Sequence, residues 1–321
     1  MWISPYKYYK YVLSLGHLCS DINQSILSAV LPFLIATYHY DYTTAAMLVT
    51  VSNVFGAFVQ PFIGMLSDKK NKLLYMTLGV LLASGGMAVT GFISNFFGLW
   101  IVVIMSGIGV AMFHPQAAKL INSVSSKNAK GKGMSIFSFG GKVGFTLGPV
   151  YTAFLMNLFG MKGTSLFLIP GIVFGIVCSF FDKDFENLDV LEVEKKEKVK
   201  SEQKDDWSGF IKLCGVVFSR SILSNGISTF LAFYFIQQFS KSNSFASMLL
   251  SVFYGIGSIT LLGGGIADCF GHRKMVRLSF CIFLPAIFIF TNTSHFVIAL
   301  IMLIFMTCGE SLSYSPMVVL G

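Results

Sequence analysis

The chain runs to 321 residues, 54% of them hydrophobic and 12% charged, with a formal net charge of +8 at pH 7 and a mean hydropathy of +0.72. These proportions exclude an ordinary soluble globular domain. The basic residues lie in short stretches between apolar runs, not on one patch or helix face, which argues against a nucleic-acid partner and for a role in membrane orientation.

Apolar runs recur at the length of about 20 residues that a helix needs to cross the hydrocarbon core. Ten helices are predicted, at roughly 11–38, 43–67, 73–93, 98–120, 132–158, 163–181, 209–238, 243–267, 274–292 and 296–316, with ends good to about 2–4 residues. The first follows a basic start, but His17, Asp21 and Asn23 interrupt its apolar stretch, so it reads as a transmembrane helix and not as a cleaved signal. On it His17 and Asp21 stand one turn apart, and Gln24 and Ser28 extend the same polar stripe. After the second helix comes "GMLSDKKNK", with Gly64, Asp68, Lys69 and Lys72.

The fourth helix carries "MFHPQAAKL", in which His114 sits nearer the predicted cytosolic end. The fifth carries "GGKVGFTLGP", with Lys142 at membrane depth and Gly144, Gly148 and Pro149 beyond it. A long segment of mixed charge follows the sixth, giving a predicted organisation of a six-helix bundle at 1–181, a solvated linker at 182–207 and a four-helix bundle at 208–321. In the second bundle the seventh helix holds Arg220 above Ser221, Asn225 and Ser228. The eighth leads into "GGIADCFGHRK", with Gly264, Asp268, Gly271 and Arg273, and Glu310 stands near the end of the tenth.

One set of helix ends holds Lys7, Lys10, Lys69, Lys70, Lys72, Lys119, Lys127, Lys130, Lys132, the linker lysines, Arg273, Lys274 and Arg277, whereas the other holds only Lys162 and Lys241. Positive residues in short loops stay inside, so the N-terminus and linker are expected in the cytosol and the chain in the plasma membrane. Both bundles open with a polar-studded helix followed by one ending in Gly-x-x-x-Asp and a basic turn. That pattern reads as two parallel repeats, a transporter plan with its substrate site between the halves. Six helices in each half would make twelve, of which about ten are present; the chain is therefore expected to be a shortened form.

These motifs carry a family resemblance. Gly64, Asp68, Lys69 and Lys72 resemble the loop signature of the major facilitator superfamily, with Asn71 where glycine is usual and Leu73 in place of a basic residue. The second copy, Gly264, Asp268, Gly271, His272 and Arg273, has Cys269 at a basic position. Gly144, Gly148 and Pro149 resemble the fifth-helix signature of that superfamily's proton-coupled drug exporters, although small residues at this spacing also simply pack helices. "GHLCSDINQSILSAVLPFL", "MFHPQAAKL" and "SLSYSPMVVLG" resemble the fosmidomycin-resistance branch.

The resemblance implies an all-α integral membrane protein of major facilitator fold that works by alternating access. It also implies that Asp68 and Asp268 latch the halves, each capping a helix start in the opposite half. Asp268 is expected to face the start of the fifth helix. The counterpart of Asp68 belongs to an eleventh helix beyond this chain, so the 321-residue form is expected to transport poorly.

Ionisable groups at membrane depth are costly and usually face a cavity or a partner. Asp21 with His17 is expected to carry a proton step, while Lys142 and Arg220 attract an anionic substrate or hold Asp21 ionised; static ion pairs or snorkelling side chains are the alternative. His114 and Glu310 are further candidates. No metal site is expected, because His17 and His114 lack a cysteine or carboxylate at suitable spacing. The six cysteines have no paired spacing and read as small packing residues. No nucleotide loop or nucleophile elbow is present, so neither an enzyme nor a cofactor is expected. The resulting expectation is a monomeric secondary transporter, exchanging protons for small amphipathic or anionic drugs. Uptake or exchange of an organic anion, and a non-transporting receptor or subunit, are the other readings.

Overall fold

The computed structural model describes residues 6–66, 72–124, 130–181, 207–259 and 270–312. Among these residues there are ten α-helices and no strand. They are α1 (Tyr6–Tyr38), α2 (Tyr42–Leu66), α3 (Lys72–Ala88), α4 (Phe96–Val124), α5 (Lys130–Phe159), α6 (Ile169–Ser179), α7 (Trp207–Phe239), α8 (Asn243–Ile259), α9 (His272–Asn292) and α10 (Phe296–Leu312). Seven stretches of the described residues are long and apolar enough to cross a bilayer, one of them running from α5 through α6 at Gly133–Ser179. The chain divides into two compact units, within Met1–Lys200 and Ser201–Gly321.

Three helices, α2, α4 and α8, begin where short polar side chains satisfy free backbone N–H groups. Asp41 Oδ1 accepts from the Thr44 N–H at 2.6 Å before α2, and Asn95 Oδ1 accepts from the Gly98 N–H at 2.6 Å before α4. In the second unit Ser242 Oγ accepts from the Phe245 N–H at the start of α8. The turns after α1 and α7 share one construction. Each helix is followed by a single residue at positive φ, His39 (56°) or Ser240 (50°), and two positions later by the capping side chain, Asp41 or Ser242. The same loop geometry thus recurs at matching places in the two units.

The first helix begins at Tyr6 and not at 11, and the predicted third and sixth helices are 3-10 over part of their length. The sixth was expected over 163–181, but Gly160–Leu168 is a 3-10 run and the α-helix starts only at Ile169. Gly160 at φ 57° stops α5, Thr164 Oγ1 is tied to the Ala88 and Met161 carbonyls, and Pro170 stands in the first turn of α6. The third ends as an α-helix at Ala88, not at 93, and continues as a 3-10 turn at Thr90–Phe92. There the Thr90 hydroxyl donates to the Met87 carbonyl at 2.7 Å.

In the first unit α1 packs most extensively along α5 and also against α4, while α3 lies between α4 and α6, and α2 rests on α4. Small residues permit these approaches, as they do wherever lipid offers no hydrophobic drive for helices to associate. A methyl group on Gly79 would fall 2.7 Å from the Gly109 carbonyl, so α3 and α4 touch backbone to backbone. Polar Ser20, Asn23, Ser25, Ser52, Ser84 and Ser106 are buried, whereas Phe58, Phe62, Phe97 and Ile101 are exposed. This reversal suits a lipid environment. A cluster including Tyr9, Leu13, Met76, Phe113, Phe137 and Phe174 fills the space beside the polar stripe of α1.

In the second unit α9 packs along α10, and α8 bridges α7 and α10. Tyr234 of α7 donates to the Phe290 carbonyl at 2.6 Å, and Lys241 Nζ lies 4.1 Å from the Phe296 ring centroid.

Candidate functional site

The first unit brings three helices to one carboxylate. Asp21 of α1 is buried; its Oδ2 lies 3.2 Å from His17 Nε2, one turn away, and its Oδ1 lies 3.1 Å from His114 Nε2 of α4. The other nitrogen of each ring is already engaged. His17 Nδ1 is 2.9 Å from the Phe137 carbonyl of α5, and His114 Nδ1 is 2.9 Å from the Val110 carbonyl one turn back. A carbonyl only accepts, so each Nδ1 carries hydrogen, and each Nε2 binds the carboxylate only when it holds a proton of its own. Each Nε2–oxygen gap therefore has room for one proton.

Packing holds the rings in place. His17 stacks on Phe137 with ring centroids 4.1 Å apart and planes at 21°, and meets His114 edge-on at 5.1 Å. Gly141 of α5 closes the cluster: a methyl there would fall 2.5 Å from Asp21 Oδ2 and 2.6 Å from His17 Nε2. The glycine face continues along α5, where a methyl on Gly144 would strike the Leu18 carbonyl and one on Gly148 would strike Ser25 Oγ. Pro149 is buried at the end of this face. The Ser14 hydroxyl donates to the Ile136 carbonyl at 2.8 Å, fastening the same two helices.

In the second unit Arg220 of α7 pairs with the carboxylate of Glu310 on α10, and its guanidinium also reaches the Glu310 carbonyl at 3.5 Å. Leu223, Ser279, Phe280, Phe283 and Gly309 surround this pair.

The structure thus assembles His17, Asp21 and His114 at one place and Arg220 with Glu310 at another. Gln24 is exposed on α1, and Lys142 is half-buried on α5 next to Gly141. Gly64 accepts a hydrogen bond from Lys119 Nζ through its carbonyl at 3.3 Å, tying α4 to the end of α2. Lys72 opens α3 and Gly271, at φ 90°, precedes α9, where Arg273 is exposed. Asp68, Lys69, Gly264 and Asp268 lie outside the described residues.

The premise behind excluding a metal site is overturned. A carboxylate does stand between the two histidines, and the three ligand atoms lie within 4.8 Å of one another. Sequence spacing missed this because His114 and Asp21 are 93 positions apart. Helix depth was the available signal. His17 and His114 stand equally far from the predicted ends at 11 and 120, and they remain at similar depth in α1 and α4, which begin at Tyr6 and end at Val124.

A family model described as Major Facilitator Superfamily matches residues 13–321. The fosmidomycin resistance protein of Escherichia coli K12 is 22% identical over 269 residues, 82% of this chain and 66% of that protein. The uncharacterized MFS-type transporter YfnC of Bacillus subtilis 168 is 24% identical over 272 residues, 83% of this chain and 66% of the relative. The chain therefore spans just under two thirds of the length of these relatives. A bacterial homolog to the human lysosomal transporter Spinster, solved in an inward-facing and occupied conformation, superposes with a TM-score of 0.82 at 17% identity, covering 98% of this chain and 74% of its own.

Proposed function

Because the chain belongs to the Major Facilitator Superfamily, we propose that it serves in secondary active transport, exporting small amphipathic or anionic compounds in exchange for protons by alternating access. The observation that carries this reading is the buried Asp21 carboxylate facing two imidazoles whose outer nitrogens are fixed by carbonyls. A proton can rest in either gap, and a change in access on one side of α1 changes which gap is wet. The similarity to a fosmidomycin resistance protein supports a drug-like anion as cargo. In the second unit the Arg220–Glu310 pair offers such an anion a guanidinium, for which the cargo would compete with Glu310.

The remaining assignments form part of the same proposal. Residues 1–181 and 208–321 act as the two rocking halves joined by a cytosolic linker at 182–207, in the plasma membrane, as a monomer. Asp68 and Asp268 serve as latches between them. Lys142, one position from the glycine that closes the cluster, contributes positive charge beside those gaps.

The test is export of fosmidomycin from cells making the protein or its Asp21→Asn variant, at matched membrane abundance. Export that rises with an imposed inward proton gradient in the parent and falls at least tenfold in the variant supports the proposal. Equal export in both removes Asp21 from the coupling step. Binding of the drug without proton-coupled flux would make the chain a receptor.

A further inference from the structure

We infer that His17 Nε2, His114 Nε2 and the Asp21 carboxylate also form a binding site for one divalent transition-metal ion. Three observations on the first unit carry this. The first is spacing. Tetrahedral ligation with bonds of about 2.0–2.2 Å puts the donors about 3.3–3.6 Å apart. Asp21 Oδ2 lies 3.2 Å from His17 Nε2 and its Oδ1 lies 3.1 Å from His114 Nε2, and with one ligand atom from each residue the three fall within 4.8 Å of one another. Closing the longest separation falls to His114, the ring that does not stack on Phe137.

The second is orientation. A ligating imidazole characteristically donates its other N–H to a carbonyl or carboxylate, which fixes the tautomer and aims the free lone pair at the metal. Both rings already do so, His17 to the Phe137 carbonyl and His114 to the Val110 carbonyl, each at 2.9 Å. Stacking on Phe137 and the closeness of Gly141 hold His17 against rotation. Once its proton is released, each Nε2 turns a lone pair toward the space beside the same carboxylate.

The third is exposure. The Asp21 side chain is 4% exposed, whereas those of His17 and His114 are 14% and 28% exposed, so the imidazoles form the open side of the cluster. Two imidazoles and one carboxylate suit zinc, cobalt or ferrous iron better than calcium and magnesium, which prefer all-oxygen ligands, or cuprous copper, which prefers sulfur. Three protein ligands leave a position open for water or another small ligand. A bound ion would clip α1 to α4. This site stands independently of the transport reading, because it is detected by binding and not by flux.

The test uses the purified full chain in detergent, free of any histidine tag, titrated with cobalt chloride and followed by its visible d–d absorption, with zinc chloride as competitor. One ion per chain is expected, displaced by zinc, with affinity at least tenfold weaker in His17→Gln and in His114→Gln; size-exclusion profiles check that both variants remain folded. A second measurement needs no variant. Zinc is expected to shield His17 and His114 from diethyl pyrocarbonate while the exposed His39 and His295 stay reactive. Cobalt affinity unchanged in the folded variants would overturn the site. So would labelling of His17 and His114 that zinc leaves unchanged, as it does that of His39 and His295.

Discussion

Asp21 faces one imidazole at 3.2 Å and another at 3.1 Å, so losing its charge strands two ring nitrogens at once. Breaking a buried charged pair by removing one partner costs about 3–5 kcal/mol. Asp21→Ala is expected to lose about that much in reversible unfolding of the detergent-solubilised protein. His114→Gln keeps an amide within reach and is expected to cost less, about 1–3 kcal/mol. Equal losses in the two variants would mean that the carboxylate is not the hub of the cluster. The sequence made His17 and Asp21 legible as a pair, since they are one turn apart on one helix. It did not reveal His114 as the third member or Glu310 as the partner of Arg220, because those contacts join residues 93 and 90 positions apart through helix packing.

At the scale of helices, the α1–α5 contact makes the sharpest forecast. A side chain at Gly144 collides with the backbone of α1 at Leu18, whereas one at Gly85 meets nothing within 4 Å. Gly144→Val is expected to destabilise by about 1–3 kcal/mol through overpacking and to separate His17 from the Phe137 carbonyl. Gly85→Ala is expected to be neutral or to stabilise α3 by up to about 1 kcal/mol, through helix propensity. Thermal unfolding of both variants checks the contrast, and equal effects would contradict it.

The cap of α2 adds a pH signature. The Thr44 hydroxyl, and with it the Thr44 backbone N–H, holds the Asp41 carboxyl below its usual range. A lowered folded-state pKa means that this contribution is present above the unfolded value of about 3.9 and is lost as pH falls through the folded value. Asp41→Asn is therefore expected to flatten the fall in stability below about pH 4 and to leave the shape of the curve at neutral pH unchanged. An acid limb as steep as the parent's would contradict that assignment.

Hydrophobic runs revealed the helices because lipid demands an apolar surface and internally satisfied backbone along each span. They did not reveal the 3-10 run at Gly160–Leu168, which is as apolar as a helix and departs from one through local ties at Gly160 and Thr164. Periodicity records which face is greasy; it does not record a hydroxyl bonded to a neighbouring helix.

For the whole molecule, the all-α membrane fold and the superfamily were both readable, the first from composition and the second from two imperfect copies of one loop motif. The matching turns after α1 and α7 carry the repeat into the backbone. Orientation is a further claim at this scale. A single cysteine replacing Lys162 is expected to react with an impermeant thiol reagent from outside intact cells, and one replacing Lys127 only after permeabilisation. The reverse pattern would invert the proposed topology.

The central claim is that Asp21 and its two histidines couple protons to export. The most direct measurement follows the pH gradient in everted membrane vesicles with a quenched dye while fosmidomycin is added, comparing the parent with Asp21→Asn. Partial collapse of the gradient is expected in the parent and none in the variant. An equal collapse in both would contradict it.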